Sequence, residues 1–323
     1  MKLKLVTISL GVLVLSLLVQ GLPEGAEKNP IRIAYLQNDL HQLACWVALE
    51  KGFYAQEGLE VRVAGIFKAG PELMSGFAAG ALDMGYVGVA PVTTAVANKS
   101  ARVVVLAQVN SEGSCLVGKK DPGVQNLSDL KGKTLAIPGH ATVQDFLLRR
   151  ILGKWNLLPP QTQILVLKPP EMIAALQNGD IDGFIAWEPF PTRAVTLEAG
   201  RTLICSREIW KDHPCCVLVA EVRFLETRPE EAKKMIRAHV KATDFINTNP
   251  GEAIQVAVRY TGLDEKTIVQ AMKNVTYSYH FNVEAEREYV QYLTQWKYIK
   301  VEDVPAFTGQ LVNLQFLKDI LKK

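Results

Sequence analysis

Apolar runs short enough for buried strands alternate along this chain with stretches of helical period, and the whole order occurs twice. In the first unit a strand at 31–36 is followed by a polar loop at 37–42, a helix at 43–51 and a second strand at 59–64. In the second unit the matching segments are a strand at 134–137, a loop at 138–142, a helix at 143–152 and a strand at 163–167. Each unit then runs through a proline- and glutamate-led helix into a third strand. Strand, helix, strand, helix, strand calls for a parallel sheet with helical crossovers, so two such units predict two α/β lobes.

The echo extends to single residues. Gly70-Pro71-Glu72-Leu73-Met74 leads through Gly80-Ala81-Leu82-Asp83 to Tyr86-Val87-Gly88. Pro169-Pro170-Glu171-Met172-Ile173 leads through Gly179-Asp180-Ile181-Asp182 to Phe184-Ile185-Ala186-Trp187. Glu72 and Glu171, Gly80 and Gly179, and Asp83 and Asp182 share one separation. Proline and glutamate suit a helix's first turn, and glycine suits its end. After the second unit a strand pair is expected at 202–206 and 216–220. Helices follow at 229–248, 250–261, 265–274, 283–296 and 307–321, the first capped by Thr227.

Composition narrows the function class. Lys2 and Lys4 precede an apolar run from Leu5 to Leu18, the build of a secretory signal cut after Gly21, or of an uncleaved anchor, over 1–21. No cysteine lies there to carry a lipid. The formal charge of +3 on 323 residues leaves no electrostatic footprint for nucleic acid. Roughly 300 further residues suffice for two well-filled lobes: 31–113 with 217–323, and 114–216. Five cysteines are too few and too odd for a disulfide scaffold, although export would permit a Cys215–Cys216 bridge, or Cys205 to either.

In parallel α/β sheets ligands sit at the carboxyl ends of strands, against helix N-termini that offer unpaired N–H groups. With two facing lobes, that rule selects Asn38, Asp39, His41, Gln42, Phe67, Gly88, Val89, Asn110, Gly139, His140, Ala141, Thr142, Trp187, Glu188, His213 and Cys215 as ligand-binding residues. Singly, each reads as an ordinary turn or cap; two matched sets on one side read as a cleft. Pro214 lacks an N–H, so the strand carrying Cys215 and Cys216 should start after it. Neighbouring strand residues face opposite ways, so only one of the two thiols should reach a ligand, with His213 beside it. The aromatic group Tyr277, Tyr279, His280 and Phe281 reads as packing.

Five segments carry a family resemblance: Ile31-Arg32-Ile33-Ala34-Tyr35, Gly52-Phe53-Tyr54 through Val61, Gly80 through Gly85, Leu127-Ser128-Asp129-Leu130-Lys131-Gly132-Lys133, and Trp187-Glu188-Pro189. Together they resemble the nitrate-, sulfonate- and taurine-binding proteins of ATP-driven (ABC) importers. The resemblance implies the two-lobed type II periplasmic-binding-protein fold, each lobe a mainly parallel sheet flanked by helices, with a helical C-terminal extension. It implies a monomeric, extracytoplasmic subunit that captures a small anionic or polar solute and hands it to a membrane permease and its ATPase, without a cofactor or a resident metal. Members that bind sulfonates carry small and hydroxyl residues after the first strand, where this chain has Asn38-Asp39-Leu40-His41. Two other readings stay open: an enzyme on the same fold with a Cys/His site, and a binder of a metal complex. No catalytic triad order or compact metal spacing is legible.

Overall fold

The computed structural model describes residues 29–120 and 124–322; the N-terminal segment read as a signal or anchor lies outside the described residues. The strands are β1 (Ile31–Leu36), β2 (Val61–Phe67), β3 (Met84–Gly88), β4 (Val103–Glu112), β5 (Ser114–Lys119), β6 (Thr134–Ile137), β7 (Gln163–Val166), β8 (Gly183–Trp187), β9 (Gly200–Cys205), β10 (Pro214–Glu221) and β11 (Val275–Tyr277). They form two mixed sheets flanked by helices, one in the order β11-β4-β10-β3-β1-β2 and one in the order β7-β6-β8-β5-β9.

The two sheets are built alike. β1 pairs in parallel with β2 and β3, and β6 pairs in parallel with β7 and β8. Each sheet then receives one antiparallel strand from a chain crossing over from the other. β5 leaves β4 and inserts between β8 and β9, while β10 leaves the second sheet and inserts between β3 and β4. The expected pairing of segments 202–206 and 216–220 is therefore corrected: β9 pairs with β5, and β10 lies in the other sheet. β10 also begins at Pro214 rather than after it, so Pro214, Cys215 and Cys216, expected within the 114–216 lobe, lie in the first sheet instead. Proline is tolerated there because the first residue of a strand can do without a ladder N–H.

Local chemistry explains the repeated frame. The helices Gly70–Ala78 and Pro169–Asn178 carry proline near the start and Glu72 or Glu171 in the first turn. Asp83 and Asp182 then each accept a bond from the N–H that opens the first strand of their unit, Arg32 N at 2.8 Å and Thr134 N at 2.9 Å. Both lobes hold fully buried apolar side chains, with Trp46, Tyr86 and Met84 in the first and Phe184, Leu135 and Leu147 in the second.

The C-terminal helices differ from expectation in two places. Thr227 ends the helix Val222–Thr227 instead of capping the next one, and its Oγ1 bonds Arg223 O at 2.8 Å. The segment read as one helix at 307–321 is two, Val304–Leu311 and Gln315–Leu321, because Asn313 N turns away to bond Val105 O on β4 at 2.9 Å. The helix Val283–Gln295 straddles both lobes. Its Glu286 meets Thr93 of the first lobe at 2.5 Å, and its Tyr289 ring lies 4.4 Å from Phe146 of the second. No described helix is long and apolar enough to cross a membrane.

Candidate interlobe solute site

Strand ends and helix starts from both lobes meet in one small chamber. Leu36, Asp39, His41, Gly70, Gly88, Pro91, Cys215 and Cys216 line it from the first lobe; Thr142, Val143, Gln144 and Trp187 line it from the second. Its free volume is about 10 Å³, room for a single water or ion. Pro91 also borders an outer chamber of about 190 Å³, walled by Pro71, Met74, Thr94, His140 and Ala141.

The first-lobe wall is built around His41. The turn after β1 makes Leu40–Gln42 a short 3-10 helix, with Asp39 as its cap accepting from His41 N at 3.0 Å. His41 Nε2 bonds Gly113 O at 2.8 Å, which turns Nδ1 toward the thiols: Cys215 Sγ is 3.4 Å away and Cys216 Sγ 3.8 Å. Gly113 holds φ +85°, and a Cβ there would lie 2.2 Å from His41 Nε2, so glycine is required.

Both thiols face His41, contrary to the alternation expected of a regular strand. The register of β10 against β4 shifts on each side of Cys216, a bulge that rotates adjacent side chains onto one face. Asn110 pins the bulge: its Oδ1 accepts from Cys216 N at 3.1 Å, and its Nδ2 donates to Ser111 O and Glu112 O. Cys45, Cys215 and Cys216 are free, while Cys115 and Cys205, opposite each other on β5 and β9, form the disulfide. The bridges considered from sequence, Cys215–Cys216 and Cys205 to either, are thus replaced by Cys115–Cys205.

Burial shapes the charges. It pushes the Asp39 carboxyl up to about 6, with His41 and Gln42 pulling the other way. Burial opposes a charge on His41, but Cys215 and Asp39 overcome it and hold the imidazole up at about 9. Burial likewise opposes a Cys215 thiolate, yet the Cys216 S–H and the His41 imidazolium keep that thiol well below its ordinary range.

The second-lobe wall is neutral. Thr142 caps the helix Val143–Lys154 by accepting from Asp145 N at 3.1 Å, and its hydroxyl donates to Gly139 O at 2.8 Å. Gln144, not picked out from sequence, donates to Ser114 Oγ at 2.9 Å; its place beside the Thr142 cap was the available signal. Trp187 is buried, and its Nε1–H has no partner among the described residues.

Of the sixteen predicted positions, Asp39, His41, Gly88, Thr142, Trp187 and Cys215 border this chamber. Gln42 stands just behind it, donating to Asp39 Oδ2 and toward Cys216 Sγ. Val89 is the buried first residue of the helix Val89–Ala97 that Gly88 caps. Glu188 and His213 are not at the chamber. Glu188 ties the lobes together, its backbone O accepting from Leu40 N at 3.0 Å and its Oε1 from Asn274 Nδ2 at 2.7 Å, with burial pushing the carboxyl up to about 7. His213 stacks on Trp210 and turns Nδ1 to Trp210 O. His140 and Ala141 face the outer chamber, and Gly139 only positions Thr142. Asn38 borders a separate outer cavity with Tyr35, Trp46 and Tyr260, and the Phe67 ring covers Gly65. Tyr277 reaches the back of the site, donating to Leu40 O at 2.9 Å.

Known proteins share the fold. The chain is 30% identical over 220 residues to the taurine-binding periplasmic protein of Escherichia coli, covering 65% of this chain and 67% of that protein. It is 26% identical over 266 residues to a binding protein of Brucella abortus, covering 81% of this chain and 82% of the other. Among solved structures, the ligand-binding component of an ABC-type import system from Staphylococcus aureus with zinc bound superposes at TM-score 0.80, with 18% identity over 90% of this chain and 99% of that one. The periplasmic nitrate-binding protein of Synechocystis superposes at 0.78, with 16% identity over 92% of this chain and 89% of that one. These likenesses confirm the periplasmic-binding-protein fold, and the relatives are named as binding proteins rather than enzymes. Residues 24–260 match the NMT1-like family, and the chain belongs to it.

Proposed function

We propose that this chain is the extracytoplasmic solute-binding subunit of an ATP-driven importer, closing two lobes on a small polar or anionic solute and delivering it to a membrane permease. The observation that carries the reading is the chamber itself: strand ends of both sheets converge on it, and the Trp187 indole N–H waits there buried and unpartnered. No lysine or arginine is among its lining residues. An oxyanion would instead be held by the N–H groups at the starts of the helices Val89–Ala97 and Val143–Lys154, as helix ends allow. The inner chamber as it stands is smaller than a sulfonate or nitrate headgroup, so the headgroup would enter only as the two walls part, and the body of a larger solute would run past Pro91 into the outer chamber. The relatives' taurine and nitrate set the class to test. The subunit works outside the cytoplasmic membrane, as a monomer.

Thermal shift of the purified chain against taurine, alkanesulfonates and nitrate tests this. A true solute at 100-fold over its Kd stabilises by about 2.7 kcal/mol and is recovered chemically unchanged. Trp187→Ala should weaken its binding by about tenfold or more, near 1.4 kcal/mol. Steady conversion of the solute, or binding indifferent to Trp187, would overturn the reading.

A further inference from the structure

His41, Cys215 and Cys216 exceed what solute capture requires. The three side chains are buried, and their ligand atoms all lie within 4.8 Å of one another. A hydrogen-bonding role explains only part of this, since Nδ1 carries at most one proton and two sulfurs face it.

We propose that His41, Cys215 and Cys216 form a binding site for a thiophilic d10 cation, zinc(II) or copper(I), set in the first-lobe wall of the cleft. Tetrahedral zinc holds sulfur at about 2.3 Å and nitrogen at about 2.0–2.1 Å, which places S and N donors about 3.6 Å apart. The two N–S distances here, 3.4 and 3.8 Å, bracket that value. The outer contact is that of a metal-bound histidine: Nε2–H is committed to the Gly113 carbonyl, which aims Nδ1 at the thiols, where it offers a lone pair once its proton leaves. Gln42 steadies Cys216 from behind, donating to Sγ at 3.4 Å. Two thiolates and an imidazole are a soft donor set, which selects zinc or copper(I) over magnesium or calcium. The free volume of about 10 Å³ suits a bare ion, and Gln144 and Trp187 line the same chamber from the second lobe. On binding, the ion replaces the thiol protons and any proton on Nδ1.

All three ligands belong to the first lobe. The site lies in the cleft proposed above for solute capture but needs neither lobe closure nor a solute, so the two readings fail separately. The experiment uses the full chain with its Cys115–Cys205 bridge intact and the remaining thiols kept reduced by working without oxygen. Cobalt(II) is titrated as the spectroscopic probe, followed by zinc(II), with copper(I) added in a parallel chelator competition to tell the two ions apart. The expected result is a sulfur-to-cobalt charge-transfer band that saturates at one ion per chain and disappears on adding zinc. Iodoacetamide labelling of Cys215 and Cys216 should be suppressed by zinc or copper(I), with Cys45 unaffected. His41→Ala should weaken the ion by about tenfold or more, whereas Cys45→Ala, which removes the free thiol outside the cluster, should leave it within about threefold. No saturation at one equivalent, or a band that survives in Cys215→Ser/Cys216→Ser, overturns the proposal. Should the variants fail to fold, the labelling of the parent chain decides: thiols equally reactive with and without both ions refute it.

Discussion

The two lobes begin from one plan and end with opposite cleft walls. Both use a strand-opening N–H bonded to an aspartate, a glutamate-led helix, three parallel strands and one strand borrowed from the other lobe. Past the third strand they part. The first lobe turns through Gly88 into a helix and sets a histidine and two thiols over it; the second ends in the Trp187 indole and the Glu188 tie. The frame is thus fixed by short-range rules, and the chemistry by what each frame places at its open end. The first lobe supplies reactive donors, and the second supplies shape.

The largest effect that would test this contrast is at Gly113. Gly113→Ala must displace the His41 ring and strain a positive φ, so it should cost several kcal/mol, about 2–4, by urea denaturation. Asp212 on the return crossover also has positive φ, at +58°, and Asp212→Gly should be close to neutral. Equal costs would show that the two crossovers are not distinguished by the imidazole.

Buried carboxyls come next. Glu286 has Thr93 as its hydrogen-bond partner, and burial pushes it up to about 8. Because the folded value lies above the unfolded one, its stabilising contribution is complete below about pH 4.5 and is lost as pH rises toward 8. The counterpart buried carboxylate of the second lobe, Asp145, is met by Arg149 Nε at 2.8 Å and Tyr298 Oη at 2.7 Å. Glu286→Gln should therefore gain melting temperature relative to the parent between about pH 5 and about pH 8. A parent–variant difference that stays constant with pH would sink the assignment.

The repeated aspartates give a finer test. Asp83 is bonded by Arg32 through N, Nε and Nη2, whereas Asp182 takes Thr134 N, with Lys133 Nζ 3.6 Å away. Asp83→Ala should cost about 2 kcal/mol and Asp182→Ala about 1 kcal/mol in the same denaturation assay. Equal losses would mean the arginine adds nothing. Smallest of all is the interlobe pair Lys168–Glu72, 2.7 Å apart and half-exposed. Lys168→Ala should change stability by under about 1 kcal/mol, less still in high salt.

How much of this was legible depended on the range of the signal. Glu72 and Gly80 and their echoes could be read because each acts within a few residues of itself, whereas Asp83 and Asp182 were legible only as turn residues, their partners Arg32 and Thr134 lying 51 and 48 residues away. His41, Thr142, Trp187 and Cys215 could be placed at the chamber because the strand ends of both sheets converge there. Cys216 was misassigned to the opposite face, since its orientation depends on a bulge held by Asn110, distant in sequence. The Cys115–Cys205 bridge was missed for a similar reason. It exists only because β5 inserts beside β9, and that pairing has no local mark.

That bridge has a mechanical consequence. The chain crosses between lobes twice, at Gly113 and again at His213, and Glu112 pins the two straps by accepting from Asp212 N at 3.1 Å and Arg207 Nε at 2.6 Å. Cys115 lies just beyond the first strap and Cys205 just before the short helix that leads into the second. Clasped at their roots by a covalent bond, the straps cannot slide past each other. The bridge thus adds a covalent restraint beside the Glu112 contacts at the place where both connections leave the second sheet.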